Sequence, residues 1–175
     1  QLQLPSIFDV YPHLLDSNVE SLNPELREPN AEMRRVKLVM GVPAVDRGNT
    51  SYLISTLNQL FENARVEDLD KIRVIVMLSH EGGTSSIFVR NATKKITQKF
   101  NQQIQSGLLQ IIVPPAAWYP SNLRNLPPTF GDKPERMYWR TKQNLDYAYL
   151  MTYASKHGEY YMQMEDDIEA APSYT

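Results

Sequence analysis

Three consecutive carboxylates, Glu165, Asp166 and Asp167, follow an apolar run near the end of the chain. Adjacent carboxylates repel one another, and a divalent cation relieves that repulsion. In an extended segment Glu165 and Asp167 point to one side and Asp166 to the other, so one side can meet a metal and the other a sugar or ribose hydroxyl. Because open α/β sheets bind ligands at the carboxyl ends of their strands, we interpret the cluster as the metal and diphosphate end of a nucleotide-sugar site. The alternative is an acidic turn in solvent.

Two basic residues, Arg140 and Lys142, lie near the front of the last predicted helix. Arginine can grip a diphosphate with a bidentate fork, and lysine can neutralise it as a point charge. We therefore list both as candidate donor-binding residues. A solvated helix face is the alternative, and without further observations it is the favoured one.

Two loops carry further polar candidates. Asp46 and Arg47 follow the first predicted strand, and His80 and Glu81 follow the second. If the strands are parallel, both loops open at the same sheet edge as the acidic cluster. Glu81 could bind a base or ribose edge, and His80 could carry a proton, although a surface histidine is the more common case. The glycines after Glu81 form neither a P-loop nor a dinucleotide-binding pattern.

The elements that must position these residues alternate along the chain. Short apolar runs predict strands over residues 36–42, 72–78, 108–113 and 160–164. Helical spacing of apolar residues predicts helices over about 50–63 and 86–105, and a third that Asp132 caps and that ends near residue 157. This alternation predicts an α/β fold, with a mainly parallel sheet and helices on both faces. Residues 1–35 are predicted to be a stem or linker that partly packs on the domain, and 36–175 the nucleotide-sugar-binding part.

Composition excludes several functional classes. The net charge of -2 at pH 7 argues against non-specific nucleic-acid binding, and the lack of cysteine excludes disulfides and thiolate chemistry. The sequence has no apolar run of membrane-spanning length. Because the first residue is Gln1, we expect a processed form or a fragment, with any targeting segment or anchor upstream. Asn49 and Asn91 head two N-glycosylation sequons, although a helix cap and a helix position are the simpler interpretations.

Several motifs together resemble one enzyme family. The segments WRTKQNLDY at 139–147 and YYMQMEDD at 160–167 resemble the catalytic domain of the N-acetylglucosaminyltransferase IV family, the alpha-1,3-mannosyl-glycoprotein 4-beta-N-acetylglucosaminyltransferases. The resemblance covers about residues 36–172, and the other matching segments are VMGVP at 39–43, SGL at 106–108, PP at 114–115, WYP at 118–120, TFGD at 129–132 and ER at 135–136. The segment EDDIEAAP at 165–172 is also similar to the enzyme that adds the first beta-1,2 GlcNAc, so a beta-1,2 linkage stays open.

The resemblance implies a GT-A nucleotide-sugar fold, UDP-GlcNAc as donor and a divalent cation, typically manganese. It implies an inverting transfer to the alpha-1,3 mannose arm of an N-glycan, in the Golgi lumen, by type II membrane proteins. Asp167 takes the place of the direct metal ligand, and Glu165 and Asp166 those of residues that contact ribose or donor sugar. Arg47 and Glu81 fall in the loops that hold uridine in such folds.

The family continues well past the position of Thr175. We expect that continuation to hold the acceptor wall and the catalytic base, and these 175 residues to be the donor-binding half, which alone binds donor weakly or not at all. A second hypothesis is a catalytically silent relative that acts as a regulator or binding partner of Golgi glycosyltransferases.

Overall fold

A computed structural model describes residues 10–15, 17–48 and 52–175. Five strands are present in this part of the chain: β1 (Leu26–Glu28), β2 (Val36–Ala44), β3 (Ile72–Leu78), β4 (Leu109–Val113) and β5 (Gly158–Gln163). The α-helices of the same part are α1 (Tyr52–Glu62), α2 (Ile87–Lys99), α3 (Asn101–Gln105) and α4 (Pro134–Ala154). The predicted α/β class is therefore confirmed.

The strands form one mixed sheet in the order β1-β4-β3-β2-β5. The pairs β2–β3, β3–β4 and β2–β5 are parallel, whereas β1 runs antiparallel to β4. The prediction of a mainly parallel sheet is thus confirmed. From β2 the chain steps outward through β3 and β4, and it then returns to place β5 on the other side of β2. Such a reversal opens a crevice at the carboxyl ends of the two strands that flank it, here β2 and β5.

Helices cover both faces of the sheet. Side chains of α1, α2 and α3, such as Leu57, Ile96 and Ile104, bury one face. The other face packs against α4 through Leu145 and Leu150. Both clusters consist of fully buried aliphatic and aromatic side chains, so the hydrophobic effect fixes the position of each helix against the sheet. The carboxyl ends of β2 and β5 therefore lie between two helical layers.

Several predicted boundaries need correction. The N-cap of α4 is Lys133, without a side-chain capping hydrogen bond, so the prediction that Asp132 caps this helix is wrong. The predicted helix over 86–105 is two helices, because Phe100 is buried and has non-helical angles (φ -115, ψ 31). The last strand begins at Gly158 rather than Tyr160, since Gly158 already pairs with Val36. Strand β2 continues past residue 42 through Pro43, which still pairs with β3 although pairing with β5 has ended at Gly41.

The segment before β2 packs on the domain. Leu14 is fully buried, and β1 adds an edge strand to β4. The carboxylate of Glu25 accepts hydrogen bonds from the backbone N–H groups of Thr84 (2.8 Å) and Ala116 (3.0 Å), which joins two loops. The domain boundary at residue 35 stays a prediction, but Leu14 contributes directly to the core and residues 26–28 to the sheet.

Candidate functional site

A cleft of about 610 Å³ opens at the carboxyl ends of β2 and β5, with α4 as one wall. This is the position at which the strand order reverses. Its volume lies within the range of small-molecule sites. The cleft gathers five of the six residues that the sequence suggested for donor binding: Arg47, Arg140, Lys142, Glu165 and Asp166.

The acidic cluster lies in a turn after β5 rather than in the extended segment that the sequence analysis assumed. Glu165 and Asp167 are exposed, and Asp166 is only 5% exposed. Burial raises the pKa of Asp166, and the neighbouring charge of Asp167 adds to that rise, while Arg47 opposes it. The turn therefore presents two carboxylates to solvent and keeps the middle one inside.

Arg47 connects the two loops that flank the strand-order reversal. Its Nη2 donates to Asp166 Oδ1 and its Nη1 to Asp167 Oδ2, both at 2.8 Å. The hydrogen bond to Asp167 raises the pKa of Arg47, so the guanidinium stays charged. The sequence suggested all three residues as parts of one site, but not this direct pairing between the loop after β2 and the turn after β5.

Side chains of α1 hydrogen-bond to the backbone of the acidic turn. The hydroxyl Oγ1 of Thr56 lies 3.0 Å from the carbonyl oxygens of both Asp166 and Ile168, to which it can donate its one proton. Further along the helix, Asn63 Nδ2 donates to the carbonyl oxygen of Ala170 at 2.7 Å. Sequence reasoning missed this role of Thr56. The available signal was a polar stripe at helical spacing, Thr56, Gln59 and Asn63, in an otherwise apolar helix face.

The exposed carboxylates fit a divalent cation that is shared with a diphosphate. Glu165, Asp166 and Asp167 carry three negative charges and Arg47 offsets one of them, which leaves two. Asp167 Oδ1 has no hydrogen-bond partner in the described ranges, and its side chain is 35% exposed. In residues 10–15, 17–48 and 52–175 no group of three or more acidic, histidine or cysteine side chains converges on a metal position. A magnesium-type cation needs only one or two protein carboxylates when phosphates supply the remaining ligands.

Lys142 lies in the floor of the cleft rather than on a solvated helix face. It is 5% exposed, and its Nζ is 2.7 Å from Asp146 Oδ2 and 3.3 Å from the carbonyl oxygen of Ser79. The other carboxylate oxygen of Asp146 accepts a 2.6 Å hydrogen bond from the Tyr119 hydroxyl. Burial raises the pKa of Asp146, whereas Lys142 and Tyr119 act in the opposite direction. The solvated-face interpretation is wrong for Lys142, and its contact with a donor stays a prediction.

Arg140 stands at the rim of the cleft, with its guanidinium half-exposed. Its Nη1 pairs with Asp132 Oδ2 at 2.6 Å, and its Nη2 donates to Thr129 Oγ1 at 2.7 Å. Arg136 Nε binds the other oxygen of Asp132 at 3.1 Å. One carboxylate thus serves two guanidinium groups, and this corner of the cleft carries a net positive charge that suits an anionic ligand.

Glu81 does not line this cleft. It accepts hydrogen bonds from Arg124 Nη2 (3.0 Å) and from the Tyr138 hydroxyl, and burial together with that bond raises the pKa of Tyr138 to about 12. Arg124 and Tyr138 line a second cleft of about 500 Å³ with Asp46 and His80, at the carboxyl ends of β2 and β3. The structure therefore brings Glu81 to the same sheet edge as the acidic cluster but into a neighbouring group of side chains.

Comparisons with known proteins identify the family. Residues 2–175 match the family described as MGAT4 conserved region. The chain belongs to this family. It is 44% identical over 173 residues to bovine alpha-1,3-mannosyl-glycoprotein 4-beta-N-acetylglucosaminyltransferase A, 44% over 174 residues to the chicken A enzyme and 41% over 173 residues to the zebrafish B enzyme. These matches cover 99% of the chain but 31%, 31% and 30% of the relatives. No solved structure matches.

In this MGAT4 family member, α4 supplies cleft residues that the sequence analysis did not select as site residues. Together with the predicted Arg140 they follow one stripe of the helix at spacings of one, three and four residues: Arg136, Trp139, Gln143 and Tyr147. Starting from Arg140, the helical repeat alone could have found this stripe. It gives the MGAT4 site a wall of two guanidinium groups, one amide and two aromatic rings.

The structure bears on the two sequons and on possible membrane-spanning helices. Asn49 lies outside the described residues, and Asn91 is exposed on α2, so its use as a glycosylation site stays a prediction. Among the described residues, none of the helices is both long and apolar enough to cross a bilayer.

Proposed function

We propose that the protein carrying this chain is a glycosyltransferase that moves GlcNAc from UDP-GlcNAc to the alpha-1,3-linked mannose arm of N-glycans. The proposed linkage is beta-1,4, the transfer inverts the anomeric centre, and a divalent cation, typically Mn²⁺, takes part. Family membership and the printed names of the relatives support the transfer. The observation that carries the proposal is the cleft at the strand-order reversal, which joins an acidic turn to two guanidinium groups.

The proposed fold is a GT-A-like nucleotide-binding sheet. Its support is the order of the parallel strands, in which three successive strands extend one way and the fourth returns beside the first. Doubly wound sheets bind nucleotides at this reversal. The donor would therefore lie across the ends of β2 and β5, with its diphosphate between the acidic turn and the front half of α4.

The leaving UDP gains negative charge as the sugar transfers. Arg140 and Arg136 line the cleft where that charge would develop. The Arg140 guanidinium, held by Asp132 and Thr129, would stabilise the charge without reorganisation. A cation held by Asp167 would supply further neutralisation of the leaving diphosphate. Arg47 keeps Asp166 and Asp167 in place, so the acidic turn does not repel the donor with three uncompensated charges.

The carboxylates have distinct roles in this proposal. Glu165 is exposed in the cleft and accepts from ribose or donor-sugar hydroxyls, whereas Asp166 is committed to Arg47. Asp146 is committed to Lys142 and Tyr119. Inverting transfer also needs a base that takes the proton from the acceptor hydroxyl. We do not assign that role to Asp146 or Asp166, because each is already paired with a cationic side chain.

The proposed location is the Golgi lumen, as part of a membrane protein, because that is where N-glycans are branched in the family that the chain resembles. An exposed sequon asparagine, Asn91, is compatible with passage through the secretory pathway. Immunofluorescence of the full-length protein with a Golgi marker tests this part, and a cytosolic signal would refute it.

Thermal shift of the full-length protein with UDP-GlcNAc and Mn²⁺ tests the donor site. A ligand present at about 100 times its dissociation constant stabilises the folded state by about 2.7 kcal/mol. We expect a metal-dependent rise in the unfolding temperature that Asp167→Asn abolishes and that Asp70→Asn, a change at an exposed site elsewhere, retains.

Product analysis tests the reaction itself. Methylation analysis of the glycan product should show that the acceptor mannose has gained a substituent at O4, and a new substituent at O2 would refute the linkage. A folded full-length protein that shows neither donor-dependent stabilisation nor transfer would support the silent regulatory relative instead.

A further inference from the structure

Phe130 is the most exposed large apolar side chain among the described residues. Its ring is 94% exposed, and its backbone has φ 57, in the left-handed region. A bulky residue in that region is an outlier, because its Cβ crowds the backbone. Single exposed apolar residues are common, but one that is also held in a disfavoured conformation calls for a function.

The conformation of Phe130 is enforced by its neighbours. The Asp132 N–H donates to the carbonyl oxygen of Thr129 at 3.1 Å, which closes a tight turn around Phe130 and Gly131. Arg140 ties both ends of the turn to α4, because it binds Asp132 Oδ2 at 2.6 Å and Thr129 Oγ1 at 2.7 Å. The turn is thus anchored to the helix, while the ring it carries projects into solvent.

The ring lies beside a residue that lines the proposed donor cleft. The guanidinium carbon of Arg140 lies 5.6 Å from the centre of the Phe130 ring, and Arg140 and Arg136 both line the cleft. Arg140 therefore both lines the cleft and lies near the Phe130 ring.

We propose that the Phe130 ring is a platform for a sugar ring of the acceptor glycan. This inference rests on the proposed transferase function and adds an acceptor subsite to it. A pyranose has an apolar face of C–H groups and a rim of hydroxyls, so an exposed aromatic ring covers the face, and polar side chains bind the rim. Arg136, whose side chain is 76% exposed beside the turn, can donate to those hydroxyls. The backbone strain is what presents the ring outward.

Kinetics of the full-length enzyme with separate donor and acceptor titrations test the proposal. Phe130→Gly removes the ring and relieves the left-handed strain, so the unfolding temperature should stay the same or rise. The acceptor KM should nevertheless increase about tenfold, which corresponds to about 1.4 kcal/mol of binding. The donor KM and the donor-dependent thermal shift should change less than about twofold, since the ring lies outside the donor cleft.

Two further variants make the result specific. Phe130→Tyr keeps the ring and should recover most of the acceptor binding. Val66→Ala removes an 82% exposed apolar side chain elsewhere and should leave both KM values unchanged. An unchanged acceptor KM in Phe130→Gly would overturn the proposal. So would a lower unfolding temperature without a KM change, which would mean that another part of the protein covers the ring. Failure of the donor-dependent shift in the wild type would instead refute the proposed function.

Discussion

The buried pair Lys142–Asp146 offers the sharpest test of the site's energetics. The side chains are 6% and 3% exposed, and the charged atoms lie 2.7 Å apart. Asp146→Asn keeps the shape of the side chain but removes the only carboxylate among the described residues that pairs with Lys142, whose Nζ then retains the Ser79 carbonyl oxygen at 3.3 Å. Loss of one partner of a buried pair costs about 3–5 kcal/mol, because the other charge stays buried without compensation.

Replacement of the other partner, Lys142→Met, should lower the free energy of unfolding by less. Asp146 keeps its hydrogen bond from Tyr119, and its pKa, already raised by burial, lets it take up a proton once the lysine is gone. We expect about 1–3 kcal/mol, which is the cost of leaving a buried polar group partly unsatisfied. In the double variant neither charge remains, so its loss should be smaller than the sum of the two single losses.

Urea unfolding of the wild type, both single variants and the double variant measures these free energies. For a domain of this size each 1 kcal/mol also lowers the unfolding temperature by about 2–4 °C. Losses that simply add in the double variant, or a loss below about 1 kcal/mol for Asp146→Asn, would refute the buried-pair argument.

The same double variant tests whether Lys142 contacts the donor. We expect the UDP-GlcNAc-dependent thermal shift to persist in it, because Lys142 Nζ already has two protein acceptors. Loss of the shift in a folded double variant would show that Lys142 binds the donor directly.

Two other perturbations follow from the described contacts. Thr56→Val keeps the shape but removes the hydroxyl that holds the Asp166–Ile168 backbone, so we expect a loss of about 1–2 kcal/mol in urea unfolding and a weaker donor-dependent shift. Thr56→Ser should restore both, and an unaltered donor shift in Thr56→Val would contradict the positioning role. Burial, with nearby cations, lowers the pKa of His157 below its usual 6.5. Between that lowered pKa and about 6.5 the unfolded chain binds more protons than the folded chain. The free energy of unfolding should therefore fall as the pH drops below about 6.5. Thermal melts across about pH 5 to 8 should show a smaller acid loss in His157→Gln, and identical pH profiles would refute this assignment.

Local sequence patterns determined much of the architecture. Strand β3 coincides with the apolar run over 72–78, and α4 carries the periodic pattern that precedes the acidic cluster. Strand β3 is buried on both faces, so its sequence is a continuous apolar run, whereas burial of one face of a helix imposes a period of 3.6 residues. Each element can therefore be recognised alone. The position of the carboxylates after the last strand, and the resemblance to one enzyme family, were equally available from the sequence.

The contacts that make the site depended on the tertiary structure. Arg47 meets Asp166 and Asp167 across 119 and 120 residues of sequence, because β5 returns beside β2. The burial of Lys142 depends on the loop that brings Tyr119 beneath α4, and the hold of Thr56 on the acidic turn depends on where the chain runs after β5. A charge pattern does not state which partner will neutralise it. Strand order decides that, since it determines which loops at the carboxyl edge of the sheet are neighbours.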